Sequence, residues 1–202
     1  MRVVLASASP ARLNLLRQAG FDPEVVVSGV DEDAVTAATP GELALDLARR
    51  KAAAVAPGIG DGVVIGCDSL LELDGIAYGK PADADDVRAR WAHMAGRDGT
   101  LHTGHCVIDA ATGRQVATLR STLVRFGTPD PVELEAFIAS GEPLVVAGAF
   151  TVDGRCAPFV ESIDGDHGNV VGLSLPTLRA LLAELGIRIT DLWSDPAAHA
   201  RA

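Results

Sequence analysis

The stretch Val63-Val64-Ile65-Gly66-Cys67-Asp68-Ser69-Leu70-Leu71-Glu72-Leu73-Asp74-Gly75-Ile76-Ala77-Tyr78-Gly79-Lys80-Pro81 governs how the rest of the chain is read. Three β-branched residues in a row predict a strand over residues 63–66, with Asp68 delivered at its end. Residues 70–78 read as a hairpin about Asp74-Gly75, a pair suited to a two-residue turn because both positions need positive φ. Gly79-Lys80-Pro81 closes it. A carboxylate set between two apolar runs is partly desolvated, which raises its pKa and suits a base or a metal ligand. A strand-end aspartate that merely caps a turn looks the same in sequence.

Outward from this stretch the signals alternate. Residues 2–6 predict a short strand, and Ser7-Ala8-Ser9 leads into a helix with Ser9 as N-cap, Pro10 at its first position and Gly20 past its end. A second strand is expected over 24–28, followed by the acidic Asp31-Glu32-Asp33. Thr39-Pro40-Gly41-Glu42 is a capping box that opens a helix running to about Val55. Asp83 caps a helix over about 84–95, and residues 101–109 and 115–126 form a long hairpin about Thr112-Gly113. Asp130 caps the next helix, which Gly141 ends. Short strands are expected near 145–151 and 157–163. A last helix over 175–185 gathers Leu178, Leu181, Leu182 and Leu185 on one face. Alternating strands and helices that give way to hairpins predict the α/β class with a mixed sheet. No repeat divides the chain, so residues 1–190 read as one domain and 191–202 as a tail.

At 202 residues and 48% apolar content the chain can bury a core. It has no apolar stretch long enough for a membrane span and no room for a signal peptide, so a soluble, cytoplasmic protein without a membrane partner is expected. Cys67, Cys106 and Cys156 are odd in number and widely spaced, and read as buried reduced thiols. A formal charge of -10 argues against a nucleic-acid polymer as partner. A small polyanion held by a few cations in one cleft remains open. Of 17 basic residues only Lys51 and Lys80 are lysines. Arginine offers a planar fork, lysine a point charge that reaches a single oxygen.

Several residues carry chemistry in this pattern. Ser7-Ala8-Ser9 at a helix N-terminus, with Arg12 within the first turn, offers free N–H groups to a phosphate, although an ordinary capped helix reads alike. Lys51 falls in the middle of a helix face made by Leu43, Ala44, Leu47, Ala48, Ala54 and Val55, while Arg49 and Arg50 point away. Its ammonium either snorkels outward or enters an enclosed anionic site. In the second case Lys51→Met should keep or raise the melting temperature. Asp31 and Glu32 are hard oxygen donors for Mg²⁺, or a solvated acidic loop. Gly79-Lys80 lacks the spacing and the Ser or Thr of a P-loop, and no other nucleotide, zinc-protease or serine-hydrolase signature occurs.

The same positions resemble the successive motifs of the Maf family: Leu5-Ala6-Ser7-Ala8-Ser9-Pro10-Ala11-Arg12, Asp31-Glu32, Ala48-Arg49-Arg50-Lys51-Ala52, Gly66-Cys67-Asp68-Ser69, Gly79-Lys80-Pro81 and Asn169-Val170-Val171-Gly172-Leu173. The resemblance implies a mixed, twisted sheet bent around a cleft with flanking helices, related to the inosine triphosphate pyrophosphatases. It implies a nucleoside triphosphate pyrophosphatase that clears non-standard or excess nucleotides with a divalent cation, Mg²⁺ or Mn²⁺. By position it makes Asp68 the general base. Lys51 and Lys80 become catalytic cations that also contact the triphosphate with Ser7, Ser9 and Arg12. Glu32 and Asp68 become the metal ligands, and Asp153 is a further candidate substrate contact.

The chain departs from the family at Ala11 and Ser174, where a second arginine and a proline are usual, and Gly96-Arg97-Asp98-Gly99-Thr100 lacks the histidine often seen after Ser-Gly-Arg. Residues 144–154 lack the Asp-Lys and Gln of the branch that prefers thymidine and uridine triphosphates, and the Glu of the branch resembling methylated-guanosine hydrolases. Base preference is therefore open, as is a homodimer. Two further functions fit the resemblance or the site: a nucleotide-binding regulator of septum formation with little turnover, and a nonspecific phosphatase releasing orthophosphate.

Overall fold

In the computed structural model, which describes residues 1–194, the decisive stretch is one strand and not two pieces. Strand β3 (Val63–Leu73) runs unbroken through Asp68. The polar residues that read as a strand end fit the pleat, Asp68 on one face and Ser69 on the other. A continuous antiparallel partner holds them there: β5 (Asp98–Asp109) pairs with β3 from Val63 opposite Asp109 to Glu72 opposite Thr100. The turn at Asp74 and Gly75 forms as expected, with φ of 51° and 79°.

The other edge of β3 is divided. β1 (Val3–Leu5) lies parallel against Val63, Val64 and Ile65, while β4 (Ile76–Tyr78) lies antiparallel against Leu71, Glu72 and Leu73. Between them residues 66–70 have no strand partner on that side among the described residues, and Asp68 stands in the gap. The chain leaving β1 runs forward towards it as Ser7-Ala8-Ser9, and the chain leaving β4 runs back towards it as Gly79-Lys80. β2 (Glu24–Val25), β6 (Gln115–Phe126) and β7 (Val160–Asp164) complete a seven-stranded mixed sheet of order β2-β1-β3-β5-β6-β7, with β4 beside β3.

Helix α2 (Pro40–Val55), capped by the Thr39 and Glu42 box, covers one face. Ala48, Ala52 and Val55 pack on Val64, Cys106 and Ile108. The opposite face carries α1 (Pro10–Gln18) and α6 (Leu175–Glu184), whose Leu16, Leu178, Leu181 and Leu182 meet Val63, Ile65, Cys67 and Val107. Leu71, Leu73 and Leu101 belong to a further cluster with α3 (Ala84–Met94) and α4 (Pro131–Ala139), in which Trp91 packs edge-on against Phe126, Phe137 and Phe159. A five-residue helix α5 (His167–Val171), not predicted, precedes α6. The three cysteines are buried and free. No helix among the described residues is long and apolar enough to cross a membrane.

Further expectations differ from what is observed. The strand near 157–163 begins only at Val160, after a 3₁₀ turn over Gly154–Phe159. The strand near 145–151 is replaced by short 3₁₀ turns, Glu142–Val145 and Ala147–Ala149, because Gly148 donates to the Gly79 carbonyl (2.9 Å) and the Ala149 carbonyl accepts from the Trp91 indole (3.0 Å) instead of entering a ladder. The strand over 24–28 shrinks to two residues, since its sole partner β1 has only three. Residues 191–194, expected to belong to a tail, pack on the rest of the protein: Leu192 is buried, and the Ser194 amide and hydroxyl both donate to the Gly20 carbonyl. Residues 195–202 lie outside the described residues.

α2 approaches the sheet closely through two glycines. A Cβ at Gly66 would lie 2.3 Å from the Ala48 carbonyl oxygen, and one at Gly104 only 2.2 Å from that of Ala44. Both obstacles are helix backbone, which cannot swing aside as a side chain can. Gly104→Ala should therefore destabilise the fold by about 3 kcal/mol, the upper end of overpacking effects. Chemical denaturation would register this as a lowered midpoint.

Candidate active site

Close packing of α2 is what buries Lys51. Ala44, Leu47, Ala48, Ala52 and Val55 are buried around it on the helix, whereas Ala54, expected on this face, is exposed. Arg49 and Arg50 are exposed, as expected. The Lys51 ammonium does not snorkel outward. It donates to Asp68 Oδ1 at 2.5 Å and pairs with Glu32 Oε1 at 2.7 Å. Both Lys51 and Asp68 have only 8% of their side chains exposed, while Glu32, on the loop before α2, is half exposed. Burial pushes the Asp68 carboxyl above the usual carboxylate range, and the cations Lys51 and Arg12 pull against that rise.

Arg12, one turn into α1, is also buried. Its Nε donates to the Gly172 carbonyl (2.8 Å), Nη1 to Ser7 Oγ (3.0 Å) and Nη2 to Ser69 Oγ (2.9 Å). All three acceptors are neutral, and among the described residues Arg12 forms no ion pair with a carboxylate. Ser7 Oγ also accepts from the Ser9 amide, which leaves its own proton free to donate. Ser9 caps α1, its side chain accepting from the Arg12 amide. Behind this layer Ser69 Oγ meets Thr103 Oγ1 (2.9 Å), and Thr103 Oγ1 donates to the Asn169 carbonyl (2.9 Å).

The sequence candidates thus divide. Ser7, Ser9 and Arg12 form one hydrogen-bonded group and Lys51, Asp68 and Glu32 another; the two meet at the adjacent residues Ser69 and Asp68 of β3, where Arg12 acts on Asp68 through its charge. Lys80 is exposed, and among the described residues its ammonium has no hydrogen-bond or ion-pair partner; the strand register brings its backbone towards the gap. Asp153 is exposed at the start of a 3₁₀ turn, where its carboxylate accepts from the Thr151 hydroxyl, and it joins neither group. Ser69 and Thr103 were missed as site residues, and Asn169 and Gly172 carried no role, because their partners are distant in sequence.

Two carboxylates converging on one ammonium offer hard oxygen donors. That set fits a magnesium-type ion, which takes one or two carboxylates and completes its shell with phosphate oxygens and water. No group of three or more metal-ligating side chains occurs among the described residues.

Fold and site define an α/β protein whose sheet opens beside a buried carboxylate and two buried cations, an arrangement suited to a small polyanion. The chain belongs to the Maf family, whose model (Maf-like protein) matches residues 2–185. A protein of Streptomyces coelicolor is 66% identical over 195 residues, spanning 96% of this chain and 95% of that one. One of Nocardia farcinica is 53% identical over 207 residues, spanning 96% and 98%. Both bear the name nucleoside triphosphate pyrophosphatase. Among solved structures the Staphylococcus aureus Ham1 protein is 16% identical with a TM-score of 0.45, over 63% of this chain and 73% of that one.

Lys51 has two carboxylate partners, and this reverses the expectation that methionine would be tolerated there. Lys51→Met leaves Asp68 buried without its cation, and should destabilise the protein by about 3 kcal/mol at pH 8. The Asp68 pKa, already raised in the folded state, then rises further. The folded variant holds the proton more tightly than the folded wild type, so the loss grows as pH climbs past the wild-type Asp68 pKa, itself above 3.8, and shrinks towards acid. Denaturation of Lys51→Met at several pH values, with Lys51→Met/Asp68→Asn recovering most of the stability at pH 8, checks this.

Proposed function

We propose that the chain hydrolyses nucleoside triphosphates to the monophosphate and pyrophosphate, at the gap in the sheet beside Asp68. The observation that carries the reading is the set of hydrogen-bond acceptors around Arg12. A buried guanidinium that has three neutral acceptors, two N–H groups to spare and, among the described residues, no carboxylate in an ion pair with it can take an anion from outside. Lys51 is balanced by its carboxylates but uses two of three ammonium protons on them, so the third can reach a phosphate oxygen. The free Ser7 proton and the first turn of α1 add neutral donors at the same place. The names of the relatives support a triphosphate as the polyanion.

In this reading Arg12, Ser7 and Lys51 hold the phosphate chain, and Lys80, on the loop leaving β4, reaches its distal end. Asp68 orients a water molecule towards the α-phosphorus and takes up its proton; the new P–O bond forms as the bridge to the β-phosphate breaks, and pyrophosphate leaves. Glu32 and Asp68 would hold Mg²⁺ or Mn²⁺, which supplies charge neutralisation at the phosphoryl oxygens. The cytoplasm, where buried thiols such as Cys67 stay reduced, is the protein's location.

Incubation with a panel of nucleoside triphosphates and Mg²⁺ or Mn²⁺ should release monophosphate and pyrophosphate. Orthophosphate as the first product, or binding without turnover, would refute the reading in favour of a phosphatase or a regulator. Asp68→Asn should lower turnover by about 10² to 10⁴-fold in a folded protein. A base must be deprotonated to act, and burial raises the Asp68 pKa. Activity of the wild type should therefore fall towards acid with a midpoint above 3.8. EDTA should abolish activity and either cation should restore it, whereas full activity in chelator would remove the metal.

A further inference from the structure

The guanidinium of Arg12 is held on all three nitrogens, and three anchor points fix its plane. Two of the anchors, the Gly172 carbonyl and the Ser69 hydroxyl, lie far from Arg12 in sequence. Proton directions behind Ser69 can be assigned. Thr103 has one hydroxyl proton, and it goes to the Asn169 carbonyl. Ser69 must then donate to Thr103, which leaves its oxygen free to accept from Arg12. The bonds run in one direction, from Arg12 through Ser69 and Thr103 to the Asn169 carbonyl, and each link polarises the next.

The far end of this chain is itself fixed. Asn169 is fully buried, and its side-chain amide donates to the Leu101 carbonyl (3.3 Å) and Thr122 Oγ1 (3.1 Å), tying α5 to β5 and β6. Gly172 ends α5 with φ of 123°, a conformation that favours glycine. A Cβ there would also lie 3.1 Å from Arg12 Nε, the atom that donates to its carbonyl.

We propose that Ser69 and Gly172 are positioning residues that aim Arg12, with Thr103 and Asn169 fixing Ser69 in turn. With one proton of each terminal nitrogen committed, one N–H on Nη1 and one on Nη2 remain. That pair is left to donate to phosphate oxygens. Because the guanidinium is already immobilised, little side-chain entropy is lost when phosphate arrives. The inference deepens the proposed function and rests on Arg12 being a phosphate contact.

A double-mutant cycle tests it. The probe is a nucleoside triphosphate analogue with a methylene bridge between α- and β-phosphates, titrated calorimetrically into wild type, Ser69→Ala, Arg12→Met and the double variant. Melting curves report folding, and Arg12→Lys replaces Arg12→Met as the reference if the latter does not fold. Ser69→Ala should weaken binding about tenfold in the wild type and less than twofold in the Arg12 variant, because its effect passes through Arg12. Gly172→Ala should weaken binding in the same direction. In steady state, Ser69→Ala should raise KM more than it lowers kcat, whereas a purely structural defect would lower kcat with KM unchanged. An equal effect of Ser69→Ala in both backgrounds would overturn the positioning role and leave the triphosphate reading standing. Unchanged affinity in both Arg12→Met and Arg12→Lys would overturn the proposal together with the assignment of Arg12. Failure of wild type to bind the analogue would overturn the triphosphate reading itself.

Discussion

Everything at the site depends on the unequal pairing of the two edges of β3. Along one edge the strand is bonded to β5 for nearly its whole length, so its backbone cannot shift register or bend away. Along the other, β1 and β4 pair only with its ends. The complete ladder supplies rigidity, and the divided edge leaves room for the loops that follow β1 and β4. Asp68 is held by the first and lies beside the second. Both loops that enter the gap are extensions of strands whose register with β3 is fixed.

Packing on the two faces then sets the charges. On one side Gly66 and Gly104 let α2 lie with its carbonyls almost against the sheet, so Lys51 has no route outward and must be compensated within the protein. Asp68 and Glu32 provide that compensation. On the other side Arg12 is buried against neutral acceptors and acts on Asp68 only through its charge. The two cations are therefore unequal, Lys51 being in direct ion pairs with Asp68 and Glu32 and Arg12, among the described residues, in none. The histidine that braces the turn after α5 is consistent with this positive field. Burial and Arg12 lower the His105 pKa to about 4, and its neutral Nε2 accepts from the Ser174 amide at 2.8 Å.

Local signals were legible wherever a cap or a turn specifies the backbone by itself. Ser9, Thr39, Asp83 and Asp130 begin the helices expected of them, and Asp74-Gly75 makes its turn. The placement of Lys51 on a buried helix face was readable from spacing alone. Where local and long-range demands conflicted, the reading failed. Asp68 and Ser69 broke the apolar run and looked like a strand end, but a ladder to a strand over thirty positions away kept them extended. Apolar residues 145–151 resembled a strand, but their polar groups are bonded to Gly79 and Trp91.

By itself the sequence determined the α/β class and the caps and turns, because each of these follows from residue type at short spacing, while Ser7, Arg12, Lys51 and Asp68 stood out together as candidate site residues through the resemblance to the Maf family. Tertiary structure alone decided which charges meet. Lys51 pairing with Glu32 as well as Asp68, and Arg12 seated on Ser69 and Gly172, join segments separated by up to 160 positions. Such pairings arise from strand register and helix approach, which depend on the packing of the whole core and have no counterpart in any local pattern.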